Sequence, residues 1–177
     1  MNISARYSDH VTTQQYGKQA GIAGVERIPL KLMTDDGGNF TEISRLDQGL
    51  IQGLAEPFQV KQISFSMIMP GAVKAFHLHY KQDDVWFVPF THRLLVNLHD
   101  LREDSPTFDL HERLVLGGGT HQLLRIPAGV AHGAKNAYAE PMFLFYGTSE
   151  QFSLENPDEQ RLPWDQFGTE IWELTKG

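Results

Sequence analysis

The chain has 177 residues, 41% hydrophobic and 21% charged. That is the size of one domain burying roughly 70% of its unfolded surface, and it excludes a disordered chain. Zero cysteines and a net charge of −7 exclude disulfides and thiolate chemistry and argue against nucleic-acid binding. No run of about 18 apolar residues is present to cross a membrane, and the N-terminus has no apolar leader. These features fit a cytoplasmic protein.

In chain order, residues 1–24 are polar and aperiodic and read as an N-terminal arm. Residues 25–177 read as a single domain. Residues 28–33 roughly alternate, Asp35-Asp36-Gly37-Gly38 makes a turn, and 40–43 resume the strand. Residues 60–69 form a long β-branched and apolar run that ends at Pro70-Gly71. Further strands are expected at 73–80, 85–90, 94–98, 113–116, 122–126 and 142–146. Turn residues separate most of them. Gly117-Gly118-Gly119 lies between two strands with no helix after it, and reads as a hairpin loop. Only 164–175 offers a short helix. Many short strands at near-regular spacing predict an all-β sandwich or barrel, of which the jelly roll is one form.

Three of the eight histidines sit in informative places. His77 and His79 are two apart on an expected strand and so share a face. His132 follows the turn Pro127-Ala128-Gly129. Gathered in one pocket, such histidines do one of two things. With Asp84 (or Asp83), the set His77, His79 and His132 can bind a divalent metal. Without metal, a histidine serves as a base near neutral pH. Spacing leaves both open.

The two-part pattern, Gly71 to His77, His79 and Asp84, then Pro127, Gly129, His132 and Asn136, resembles the cupin signature. That resemblance implies a β-barrel with an open mouth. Longer segments are similar to the dTDP-4-dehydrorhamnose 3,5-epimerases. Asp35 to Glu42 resembles their D-x-R-G-x-F-x-E turn. Gly71 to His77 resembles G-V-L-R-G-L-H. Asp100-Leu101-Arg102 with Ser105-Pro106-Thr107-Phe108 resembles D-L-R-x-x-S-P-T-F. Ile126 to Gly133 resembles I-P-E-G-F-A-H-G, and Pro163-Trp164-Asp165 resembles a late W-D-D-P. The likeness covers roughly residues 28–172.

The resemblance implies a homodimeric jelly roll with exchanged N-terminal strands. It also implies metal-free proton abstraction α to the ketone of a nucleotide-linked 4-keto-6-deoxy sugar, followed by reprotonation from the other face. By it, His77 is the base, Lys74 steadies the enolate, and His132 is the second pocket histidine. Phe40, Glu42 and Gln62 fall on substrate-contacting positions, some of which serve the partner's site. The acid tyrosine aligns without gaps to Phe145. Tyr146 is adjacent and would need a one-residue bulge to face the pocket. Phe145 is thus expected among the aromatics that stack on substrate. Arg125, with Arg93, Arg102 and Arg113, is a candidate for the diphosphate. The chain stops before the family segment that supplies the carboxylate partner of the base, so His77 needs another, such as His79 or a carboxylate. His79 is an addition to the family pattern. Its H-x-H pair is similar to that of the dTDP-sugar 3,4-ketoisomerases. Three readings stand: an epimerase or isomerase, a metal-dependent cupin enzyme, and a sugar-nucleotide-binding cupin without catalysis.

Overall fold

A computed structural model describes residues 3–13 and 21–175. Two five-stranded antiparallel sheets face one another. The first runs, in spatial order, β1 (Glu26–Pro29), β11 (Gln122–Ile126), β8 (Asp84–Phe87), β13 (Met142–Thr148) and β6 (Gln62–Ile68). The second runs β10 (His111–Gly117), β9 (Arg93–Asp100), β12 (Val130–Lys135), β7 (Val73–Leu78) and β14 (Gln160–Arg161). Two hairpins stand outside the sheets: β2 (Leu32–Asp35) with β3 (Gly38–Thr41), and β4 (Leu46–Asp47) with β5 (Leu50–Ile51). This is the expected jelly roll. Of the expected arm, residues 1, 2 and 14–20 lie outside the described residues, and Ala5–Ser8 forms one helical turn with nothing buried.

The main core fills one part of the space between the sheets. Leu94, Val96 and Leu98 of β9 and Leu116 of β10 meet Trp86, Leu124, Ile126 and Leu144 of the facing sheet. Strand β9 is buried over nearly its whole length because its other face is covered too. The segment after β14 crosses the back of the second sheet. Its Phe167, Ile171 and Trp172 pack on Phe76 and Ala131, and the Ile171 carbonyl accepts a hydrogen bond from Asn97. The helix expected over 164–175 is a single 3-10 turn, Glu170–Trp172. Packing of its aromatic residues, rather than a helical period, holds that stretch in place.

Two sequence expectations are corrected. Gly117-Gly118-Gly119 is not a hairpin loop: it carries the chain from β10 in one sheet to β11 in the other. All three glycines have positive φ, which L side chains rarely adopt. Strand β12 was absent from the expected set, yet it lies at the centre of the second sheet. Its Ala131, Gly133 and Ala134 have weak β-propensity. They are small because space is short: a Cβ on Gly133 would collide with Ala75 Cβ and press on Trp172.

The Asp100-Leu101-Arg102…Ser105-Pro106-Thr107 motif is a structural cage. Asp100 is wholly buried. Its carboxylate accepts hydrogen bonds from Arg102 Nε and Nη2, Ser105 Oγ and Thr107 Oγ1 at 2.6–2.9 Å. Burial alone would raise its pKa, but the bonds from Arg102, Ser105 and Thr107 outweigh it and hold the carboxyl well below the ordinary range. Arg102 is thereby committed to the fold. Removing one partner of a buried pair leaves the other uncompensated. Asp100→Ala is expected to cost about 3–5 kcal/mol, read as a lowered urea midpoint.

Candidate active site

A cavity of about 880 Å³ opens between the two sheets. The first sheet lines it with Gln62, Ser66, Asp84, Trp86, Leu144 and Tyr146; the second contributes His77 and His132, with His79 just beyond β7. The last wall is the segment entering β14, residues 156–161.

The histidines meet because of two local features. Gly129, at φ 80°, ends the Pro127-Ala128-Gly129 turn, and its N–H donates to the His79 carbonyl. Gly133 lets β7 approach β12 where their register shifts, with His132 opposite His77. The His77 and His132 rings stack at 5.8 Å and 10°, and His79 lies 5.3 Å from His132.

Each ring is held in a defined orientation. Antiparallel pairing sets Arg161 directly opposite His77. Nε2 of His77 accepts from Arg161 Nη1 (2.7 Å), which leaves the proton on Nδ1, 3.2 Å from Glu159 Oε1. Arg161 Nη2 returns to the same Glu159 oxygen at 2.6 Å. Burial, reinforced by nearby His132, Arg161, His79 and Lys74, pushes His77 down to about 3. It is therefore neutral at physiological pH, with its lone pair on Nε2. His79 Nδ1–H donates to the Asp158 carbonyl. The Asp158 carboxylate caps the N–H groups of Tyr80, Lys81 and Gln82 at 2.8–2.9 Å. His132 Nδ1–H donates to the Val130 carbonyl at 3.0 Å. Burial lowers its pKa against the opposing pull of Asp84.

Asp84 is buried between Gln82 Nε2 (2.8 Å) and Trp86 Nε1 (3.0 Å), with His132 Nε2 at 3.7 Å. One ligand atom each of His79, Asp84 and His132 lies within 4.8 Å of the others. With both Nδ1–H groups tied to carbonyls, this is a donor set that fits a divalent cation. His77 is outside the set, its two nitrogens already committed, so the four-residue site expected from sequence contracts to three. Asp83 points elsewhere, taken by Arg125 and the Ala128 N–H.

Tyr146 lines the cavity, and Phe145 does not. The registers of β13 with β6 and β8 run without a shift, placing Tyr146 opposite Ser64 and Trp86. The phase of the strand is thus set before it begins, and no bulge is needed. Phe145 is turned to the outer face against Phe65, so the expectation that it stacks on substrate fails within this chain. Arg125 is likewise corrected. It is buried, donating to Glu26 and Asp83 at 2.8 and 2.7 Å, and does not line the cavity. Arg113 is spent on the Glu173 carbonyl. Gln62 lines the cavity, and Lys74 sits at its rim, donating to Ser66 Oγ at 2.9 Å. Phe40 and Glu42 lie apart, on and just after the exposed β2–β3 hairpin. Glu159, Arg161 and Asp158 went unseen in the sequence. Asn156-Pro157-Asp158-Glu159 reads as a turn, and only pairing to β7 turns it into a wall of the site.

The model of the family described as dTDP-4-dehydrorhamnose 3,5-epimerase matches residues 19–173. The spore coat polysaccharide biosynthesis protein SpsL of Bacillus subtilis (strain 168) is 41% identical over 144 residues, 81% of this chain and 91% of that protein. The probable low-salt glycan biosynthesis epimerase Agl13 of Haloferax volcanii is 33% identical over 81% of this chain and 89% of its own. The crystal structure of a dTDP sugar isomerase from Desulfovibrio desulfuricans G20 superposes with a TM-score of 0.71. It is 26% identical, covering 87% of this chain and 91% of that one.

His77 and His132 are both held neutral in the fold, whereas in the unfolded chain they titrate near 6.5. The unfolded state then binds more protons, so stability is full above about pH 6.5 and is lost as pH falls toward 3. Urea midpoints at pH 7.5, 6 and 5 should fall in that order, and less steeply in His77→Asn.

Proposed function

The chain belongs to the dTDP-4-dehydrorhamnose 3,5-epimerase family, and from that premise we propose that it epimerises a dTDP-linked 4-keto-6-deoxy sugar in carbohydrate biosynthesis. One observation carries the reading: a neutral imidazole on one sheet, His77, and a phenol on the facing sheet, Tyr146, line the same cavity. Such a pair is what inversion at a carbon acid needs. The hydrogen α to the ketone leaves as a proton to His77 Nε2. Its electron pair forms the Cα–C4 double bond, and the carbonyl pair moves to oxygen. Glu159, its Oε1 3.2 Å from Nδ1, steadies the imidazolium that results. The enolate collapses as Tyr146 O–H delivers a proton to the opposite face. Exchange with solvent returns the phenolate and the imidazolium to their starting states. The cavity volume suits a nucleotide sugar.

His79, on the same chain run as His77, supports a narrower alternative. A 3,4-ketoisomerisation moves protons on one face of the sugar, and two neighbouring histidines could share that work. The position of isotope label separates these outcomes.

A second reading rests on the three-residue donor set. His79, Asp84 and His132 would hold a divalent cation, which as a Lewis acid would polarise the ketone. The proton-transfer reading requires none. Chelator dialysis is therefore expected to leave turnover unchanged; loss restored by added Mn²⁺ or Zn²⁺ would move the assignment.

The reading includes a homodimer. Strand β6 is a sheet edge, and its outward residues Ile63, Phe65 and Met67 are 49–71% exposed, beside Phe145. An apolar row on an open edge calls for cover. A second copy would supply it. Phe65→Glu is expected to give a monomer by light scattering. The enzyme of this reading is cytoplasmic, acting on a dissolved sugar nucleotide; among the described residues no helix is long and apolar enough to cross a membrane.

The deciding experiment is proton NMR of dTDP-4-keto-6-deoxyglucose with the protein in deuterated water. Deuterium is expected at C3, C5 or both. His77→Gln should slow its entry about 10²–10⁴-fold. Tyr146→Phe should retain exchange at the His77 face while losing inversion. Binding without exchange would favour the non-catalytic cupin.

A further inference from the structure

The sequence resemblance assigns the enolate cation to Lys74. Its Nζ is instead held at the rim by Ser66 Oγ (2.9 Å) and the Met67 carbonyl (3.4 Å). Lys74 thus makes no hydrogen bond to the base.

Arg161 does. Its Nη1 lies 2.7 Å from Nε2 of His77, the atom that takes the proton in the proposed reaction. We infer that Arg161 is the enolate-stabilising residue of this site, donating to the ketone oxygen as charge develops there; the inference rests on the functional reading above. When an α-carbon docks on the imidazole lone pair, the N–H of Arg161 loses its acceptor. The carbonyl oxygen is bonded to the next carbon, so it is the nearest replacement acceptor. A guanidinium carries N–H donors and no acceptor, so it donates to whichever acceptor it faces. Its second arm, Nη2, stays on Glu159 Oε1 at 2.6 Å. The same Glu159 oxygen lies 3.2 Å from Nδ1 of the base. One carboxylate thus fixes base and oxyanion donor relative to each other, the preorganisation that makes such donors effective. The Arg161 side chain is half exposed and free to make the small pivot.

The step balances without another reactant. The C–H proton goes to His77, its electron pair to the new C=C bond, and the carbonyl π pair to an oxyanion facing Arg161. No proton leaves Arg161.

The test compares Arg161→Gln and Arg161→Lys with the unmodified full-length chain. It uses deuterium entry into dTDP-4-keto-6-deoxyglucose, with kcat and KM resolved. Arg161→Gln should lower kcat about 10²–10³-fold, the usual loss for one oxyanion donor, with KM moving far less. Arg161→Lys should recover part of that loss, and added guanidinium should raise kcat of Arg161→Ala. The urea midpoint of each variant reports that it is folded. Wild-type kcat in Arg161→Gln, or a rise in KM alone, would overturn the inference and leave the epimerase reading intact. No exchange by the unmodified chain would sink the epimerase reading first, and the enolate role with it.

Discussion

The pairing of the two-residue strand β14 with β7 is the constraint on which the site depends. It places Arg161 opposite His77 and the Leu162 backbone against Phe76. Much of what orients His77 and His79 arrives on this segment. Glu159 takes one nitrogen of His77, Arg161 the other, and the Asp158 carbonyl holds His79. The segment is anchored in turn, because three consecutive N–H groups of 80–82 are capped by the Asp158 carboxylate. Two strand pairs thus do what a long helix or a metal does elsewhere: they fix tautomers. A neutral base with a directed lone pair follows from those hydrogen bonds and from burial.

Much of this was legible in the sequence. The strand pattern and turn residues gave the all-β class, and the histidines stood out through spacing. Asp100, Arg102, Ser105 and Thr107 were visible as a motif, though their role is structural. What escaped was of two kinds. Half of strand β12 is alanine and glycine, so propensity is weak there; its position is dictated by how closely β7 and Trp172 approach. Glu159 and Arg161 lie more than eighty residues from His77, so no local period could connect them. Tyr146 against Phe145 was a question of strand phase. Gap-free alignment answers that badly, because the connection before β13 sets it.

The placement of charge follows one rule throughout. Arginines deep in the protein are bound to carboxylates that face away from the cavity, as Arg125 is by Glu26 and Asp83 and Arg102 is by Asp100. The cavity is lined by both signs, Lys74 and Arg161 with Asp84, Asp158 and Glu159, around the imidazoles of His77 and His132.

Gly133 ties the two faces of the second sheet together. On one side it admits Ala75 and lets His77 stand beside His132; on the other it leaves room for the Trp172 ring. One added methyl would push outward against the C-terminal cover and sideways against β7 at once. Damage to the site can therefore begin on the outer surface of the barrel: a substitution that loosens the Trp172 packing reaches His77 through a backbone contact, with no cavity-lining residue altered.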